Sequence, residues 1–131
     1  MFDIHWLRIF PSNAEIQKDR LVAVVPEHLG FHSVNLCRIV YVTESEGPTI
    51  SYRFAYGTLP QHAAMGEERF SVVWDKRTDS VCYEILAFSK PNSVLARIGY
   101  PLTRMMQRRF SEASLKAMAR AIENPVSKKF L

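Results

Sequence analysis

Thr49-Ile50-Ser51-Tyr52-Arg53-Phe54-Ala55-Tyr56 alternates large apolar side chains with small or charged ones at every second position. On an extended backbone, Ile50, Tyr52, Phe54 and Tyr56 share one face, and Ser51, Arg53 and Ala55 take the other. That is the pattern of a strand with one face in a core. Upstream, Glu44-Ser45-Glu46-Gly47-Pro48 reads as a turn. It follows a strand over 34–43, in which Leu36, Val40 and Val42 share a face with Arg38, opposite Cys37, Ile39 and Tyr41. Downstream, Gly57 to Gly66 reads as a loop. Arg69 to Asp75 then alternates Phe70, Val72 and Trp74 with Ser71 and Val73. Lys76-Arg77-Thr78-Asp79 turns the chain into Ser80–Ser89, where Val81, Tyr83, Ile85 and Ala87 share a face. Residues 3–10 and 20–25 add two strands, ended at Pro11 and Pro26, with 27–33 as a loop or half-turn.

The period then changes. After a break at Lys90-Pro91-Asn92-Ser93, Asn92 or Ser93 is placed to cap a short helix ending at Ile98, and Gly99-Tyr100-Pro101 interrupts it. Leu102, Met106, Phe110, Ala113, Ala117 and Ala121 then recur at steps of three and four. Met105, Met118 and Ile122 widen this stripe on a helix over 102–123, which Asn124-Pro125 ends. The expected fold is α+β: a curved antiparallel sheet of about six strands gripping a long C-terminal helix, because a twisted sheet with one apolar face must bury that face. The 131 residues form one domain: sheet over 1–90, helical segment over 91–124 and a tail over 125–131. Space left between sheet and helix would be a cavity, with methionines as an adaptable wall.

Composition narrows the function. Apolar residues make up 47% of the chain, enough for a core without a disulfide framework. Cys37 and Cys82 sit in apolar strand-like runs and read as two buried free thiols of a cytoplasmic protein. No apolar run is long enough to span a membrane, and the start lacks the basic and apolar regions of a secretion signal. Residues 1–90 carry a net −2 and residues 91–131 a net +6. Arg104, Arg108, Glu112, Lys116 and Arg120 recur every four residues, so much of the basic charge forms one solvated helix stripe. Zinc spacing, RNA-binding aromatics and a helix-turn-helix pattern are all missing, which argues against nucleic acid as a partner. His5, His28, His32 and His62 lack paired metal spacing, and no phosphate-loop or dinucleotide fingerprint is present, so neither metal nor cofactor is expected.

Arg53 to Phe70 is the densest polar stretch. His62 titrates near neutrality, and Glu67 and Glu68 are adjacent, so on an extended chain one of them faces inward. An inward carboxylate needs a partner, which Arg53 on the preceding strand or Arg69 could supply, and Tyr56 can offer a phenol to the same region. An ordered loop pinned by a buried Glu–Arg pair accounts for the same residues without any ligand. The candidate ligand-binding residues are Arg53, Tyr56, Thr58, His62, Glu67 and Glu68, with Met106 and Phe110 on the helix. No catalytic residue is assigned.

Tyr56-Gly57-Thr58-Leu59-Pro60-x-His62, Gly66-Glu67-Glu68-x-Phe70 and Ala87-Phe88-Ser89-Lys90-Pro91 resemble an uncharacterised family, domain of unknown function nineteen-ninety. Cys37-Arg38-Ile39-Val40-Tyr41, Ala96-Arg97-Ile98-Gly99-Tyr100-Pro101 and Gln107-Arg108-Arg109-Phe110 extend the resemblance over roughly Met1 to Ile122. Lys90 stands where the family commonly has Arg. The family is usually placed near the START-like, SRPBCC helix-grip superfamily, and so the resemblance implies a sheet gripping a C-terminal helix around a cavity for an apolar ligand. It brings no established reaction. Family members also carry an upstream strand and helix before the segment resembling Phe2–Ile9. Their lack here would uncover a sheet edge, with reduced stability or a homodimer as the expectation.

Three functions compete. The first is binding of a small apolar or amphipathic ligand between sheet and helix. The second is a small hydrolase, isomerase or lyase, with His62 as acid or base and Glu67 or Glu68 orienting it. No side chain stands out as a nucleophile for it. The third is a partner- or membrane-surface module using the basic helix.

Overall fold

In the computed structural model the described residues are 4–13, 15–28, 30–60, 64–91 and 97–123. Seven strands and one long helix lie within them: β1 (Leu7–Phe10), β2 (Leu21–His28), β3 (Phe31–His32), β4 (Asn35–Ser45), β5 (Thr49–Thr58), β6 (Ala64–Asp75), β7 (Ser80–Pro91) and α1 (Tyr100–Glu123). The strands form a curved antiparallel half-barrel in the order β1-β2-β4-β5-β6-β7, and β3 pairs only with the end of β2. The fold class is therefore the expected one, α+β with a curved sheet and a C-terminal helix.

The alternation in β5 has the expected consequence. Phe54 is buried and lies in register between Val42 and Phe70, which in turn pairs with Ile85. One step along, Ile39, Tyr56, Glu68 and Ala87 form the next cross-strand row on the same concave face. The opposite face carries small residues between longer neighbours: Ala55, fully buried, is flanked in register by Tyr41 and Arg69.

Four local expectations need correction. Pro26 does not end β2. The Glu27 amide donates to the Trp6 carbonyl at 2.8 Å, so the neighbouring position 26 directs its nitrogen away from β1, where the β2–β4 ladder has already stopped at Val24 and Asn35. A missing N–H costs little there. Second, β4 contains a bulge: Ile39 lies opposite Tyr56 but Tyr41 lies opposite Ala55. One extra residue reverses the alternation, which moves Val42 to the concave face and Tyr41 off it. Third, Gly57 and Gly66 are strand residues, and only 59–63 separate β5 from β6. A Cβ on Gly66 would stand 2.3 Å from the Phe88 carbonyl oxygen, so close strand approach explains this glycine, and a turn does not. Fourth, Cys82 is exposed on edge strand β7, in register with Val73, and Cys37 alone is buried. Residues 92–96, where the short helix cap was expected, lie outside the described residues.

Gly99 immediately precedes helix α1, and its carbonyl accepts the Thr103 amide at 3.0 Å. Pro101 sits in the first turn, where an amide would have no helical acceptor. The charged stripe Arg104, Arg108, Glu112, Lys116 and Arg120 is exposed throughout. The face against the sheet is narrower than the expected apolar stripe. Met106, Phe110 and Ala113 pack toward a cluster of Ile4, Trp6, Leu7 and Ala117, whereas Leu102, Met105 and Ile122 are exposed. The small residues Ser114 and Ala117 are the buried pair of the helix. The Ser114 hydroxyl lies 2.9 Å from the Tyr83 hydroxyl, a hydrogen bond that ties helix to β7. Phe70 ties the same two layers by packing: its ring stacks on Phe54 with centroids 5.0 Å apart and meets the Phe110 ring edge-on at 6.2 Å.

Candidate functional site

The helix does not close fully on the sheet. A cavity of about 380 Å³ remains between the first three turns of α1 and the concave face. That volume equals about a dozen waters and lies at the small end of the range for ligand sites. Trp6, Leu7, Val24, Pro26, Cys37, Ala87 and Phe88 line it from the strands and the segment before β1, and Leu102, Met106 and Phe110 from the helix. β1, β2 and β4 contribute Leu7, Val24, Pro26, Asn35 and Cys37, and β5, β6 and β7 contribute the floor around Tyr56, Glu68 and Ala87.

Polar groups are few and mostly held. The Asn35 amide donates to the Val24 carbonyl and to the Ser33 hydroxyl, each at 3.2 Å. The Gly66 amide donates to the Thr58 hydroxyl at 3.0 Å. The Gln107 amide donates to the Ser89 hydroxyl at 2.7 Å, a second polar tie from helix to β7. At the floor, the Tyr56 hydroxyl donates to the Glu68 carboxylate. The two side chains are cross-strand neighbours in register, which is why the bond forms.

Burial controls the electrostatics here. It raises the Glu68 carboxyl above its ordinary value, and the hydrogen bond from Tyr56 offsets part of that rise. Burial, and then the Glu68 charge, raise the Tyr56 phenol well above its usual value. The same two causes push the Cys37 thiol up to about 12, so it is protonated and unreactive at neutral pH. Among the described residues, the cavity lining includes Glu67 and Glu68 and no Lys, Arg or His; the alternation of β6 turns the Glu68 carboxylate into the cavity and the Glu67 side chain to the opposite face.

Tyr56, Thr58, Glu67, Glu68, Met106 and Phe110 are thus brought to one cavity. Arg53 is not. It lies an odd number of residues from Tyr56, pairs in register with Ser71, and belongs to the opposite face. The expected buried Glu–Arg pair is a Glu–Tyr pair instead, and Arg69 reaches Glu84 at 3.7 Å on that opposite face. His62 lies outside the described residues. Asn35, Ser89, Thr103 and Gln107 were not foreseen. Ser89 was within reach of the pattern, because it follows Ala87 at the two-residue spacing of the concave face. Gln107 hides beside Met106 on the flank of the helical stripe. No group of three or more His, Cys, Asp and Glu able to hold a metal occurs among the described residues. No helix among them is long and apolar enough to cross a membrane.

Residues 1–117 match the family model described as Domain of unknown function (DUF1990). The chain belongs to this family. Its curated relatives carry no functional name. A UPF0548 protein of Dictyostelium discoideum is 33% identical over 129 residues, covering 92% of this chain and 60% of that protein. UPF0548 protein At2g17695 of Arabidopsis thaliana is 32% identical over 125 residues, with the same two coverages. A UPF0548 protein of Deinococcus radiodurans is 32% identical over 92 residues, covering 70% of this chain and 44% of that protein. The DUF1990 chain therefore spans about 60% of the length of the first two of these relatives. No solved structure matches it significantly.

Proposed function

We propose that this DUF1990 chain is a ligand-binding module of the START-like helix-grip kind, holding a small, largely apolar molecule between sheet and helix. The observation that carries the reading is the cavity of about 380 Å³, walled by Leu7, Val24, Met106 and Phe110 and floored by the Tyr56–Glu68 pair. An apolar wall left unfilled forfeits packing that the surrounding core otherwise maximises. A wall with a methionine at its centre adapts to the shape of an occupant. The order of elements also supports the reading, since the sheet precedes the helix and the helix crosses the concave face. Acid–base chemistry is the lesser reading, because Tyr56 and Glu68 hold each other and the Cys37 thiol is protonated. Both cysteines are free thiols, which supports a cytoplasmic setting.

The test is uptake of the neutral fluorescent probe N-phenyl-1-naphthylamine. The wild-type chain is expected to enhance its emission at a saturable site from which decanol displaces it. A folded Met106→Trp variant, with the cavity filled from the helix side, is expected to lose that enhancement. Unchanged uptake in the folded variant would sink the cavity reading, as would an absence of uptake by the wild type.

A further inference from the structure

We infer that the cavity selects an amphipathic amine: a molecule with an apolar body and a protonated amino group that pairs with Glu68. This deepens the ligand-binding reading and rests on it. Three observations combine.

The first is position. Glu68 is on the concave face, in the row Ile39–Tyr56–Glu68–Ala87, so its carboxylate stands at the floor of an otherwise apolar space. The second is unused bonding capacity. An ionised carboxylate accepts about four hydrogen bonds. The bond from Tyr56 reaches one oxygen, Oε2. The other polar side chains of the cavity are engaged elsewhere: Asn35 with Val24 and Ser33, Thr58 with Gly66, and Gln107 with Ser89. A cationic donor entering the cavity meets Glu68 with acceptor capacity to spare. The third is charge sign. The ionisable groups facing Glu68 are Cys37 from β4, Tyr56 from β5 and Tyr83 from β7, whereas its β6 neighbours Glu67 and Arg69 belong to the opposite face. None of the groups facing it is a cation. A carboxylate or phosphate headgroup would enter next to the Glu68 carboxylate without a positive partner, whereas an ammonium would neutralise it. A buried charge is tolerated when it is paired, so an incoming ammonium supplies what the fold leaves out. Apolar contact with Met106 and Phe110 would bind the chain of either ligand equally well, so discrimination falls to Glu68.

The experiment compares decylamine, decanol and decanoate, below their aggregation limits and at neutral pH, by displacement of N-phenyl-1-naphthylamine. Decylamine is expected to bind about tenfold or more tightly than decanoate, the worth of one charge-assisted pair. Glu68→Gln keeps the shape and an acceptor for Tyr56, and it is expected to bring the three affinities within a few-fold of one another. The wild type supplies a second reading that needs no variant. As pH falls through the titration of Glu68, the preference of amine over alcohol should fade, because the amine stays charged throughout and the carboxylate does not. Equal or tighter binding of decanoate would overturn the inference while leaving the cavity reading intact. So would an amine preference that survives Glu68→Gln, or one that is unchanged by pH. Failure of all three probes to bind would overturn both.

Discussion

Replacing Phe70 by Ala should remove the packing that joins the sheet to the helix. Phe70 is 3% exposed, stacked on Phe54 at 5.0 Å, tilted against Tyr56 at 5.5 Å and edge-on to Phe110 at 6.2 Å. Truncating a buried phenylalanine costs about 3–5 kcal/mol in lost transfer energy and residual cavity. The upper half of that range applies, because β5 and β7 hold Phe70 from both sides in register and restrict collapse. Domains of this size have about 5–15 kcal/mol in total, so the variant should be folded but marginal. At about 4 °C per kcal/mol, its midpoint should fall by roughly 16–20 °C. Urea and thermal unfolding followed by far-ultraviolet circular dichroism and tryptophan fluorescence measure this directly. A double-mutant cycle with Phe110→Ala isolates the sheet–helix contact, with an expected coupling of at least about 0.5 kcal/mol. A loss below about 1 kcal/mol in a native-like variant, or strict additivity with Phe110→Ala, would refute the assignment of Phe70 as the shared anchor.

Gly66→Ala should destabilise the chain by about 1–3 kcal/mol, because its Cβ meets backbone atoms of Phe88 and Ser89 that cannot rotate away; a neutral denaturation curve would contradict that close approach. Glu68 titrates higher in the folded than in the unfolded chain, so its contribution is fully favourable below the unfolded value and is lost as pH rises through the folded one. Glu68→Gln should therefore gain stability relative to wild type on going from acid to neutral pH, and a stability difference that is flat with pH would count against the buried carboxylate. With a thiol-specific chromogenic reagent, exposed Cys82 should react in the native state and buried Cys37 only on unfolding; two equal rates would be inconsistent with this packing.

Much of this was legible before the fold was known, for physical reasons. Period-two alternation in Thr49–Tyr56 and period-3.6 recurrence from Leu102 onward report local geometry directly, and both elements formed where the sequence placed them. The pairing of Tyr56 with Glu68 was half legible: adjacency of Glu67 and Glu68 guaranteed one inward carboxylate, but its partner depended on strand register, a long-range property. Arg53 was misplaced for a different reason: the period-two alternation already put it on the face opposite Tyr56, and grouping it with Tyr56 by nearness along the chain overrode that parity. The β4 bulge and the course of β2 through Pro26 depend on where neighbouring ladders stop. Gln107 and Ser114 were hidden because a polar residue beside an apolar helical stripe looks solvent-facing until a hydroxyl is found opposite it.

The most direct test of a ligand site between sheet and helix is methyl NMR on protein labelled at the methionine methyl groups, titrated with decanol. Met106 lines the cavity, whereas Met65 and Met105 are exposed elsewhere on β6 and α1. The expected result is a saturable shift of the Met106 resonance with Met65 and Met105 unmoved. A Met106 resonance that stays fixed while decanol binds, or shifts confined to Met65 and Met105, would place the ligand on the surface and contradict the cavity.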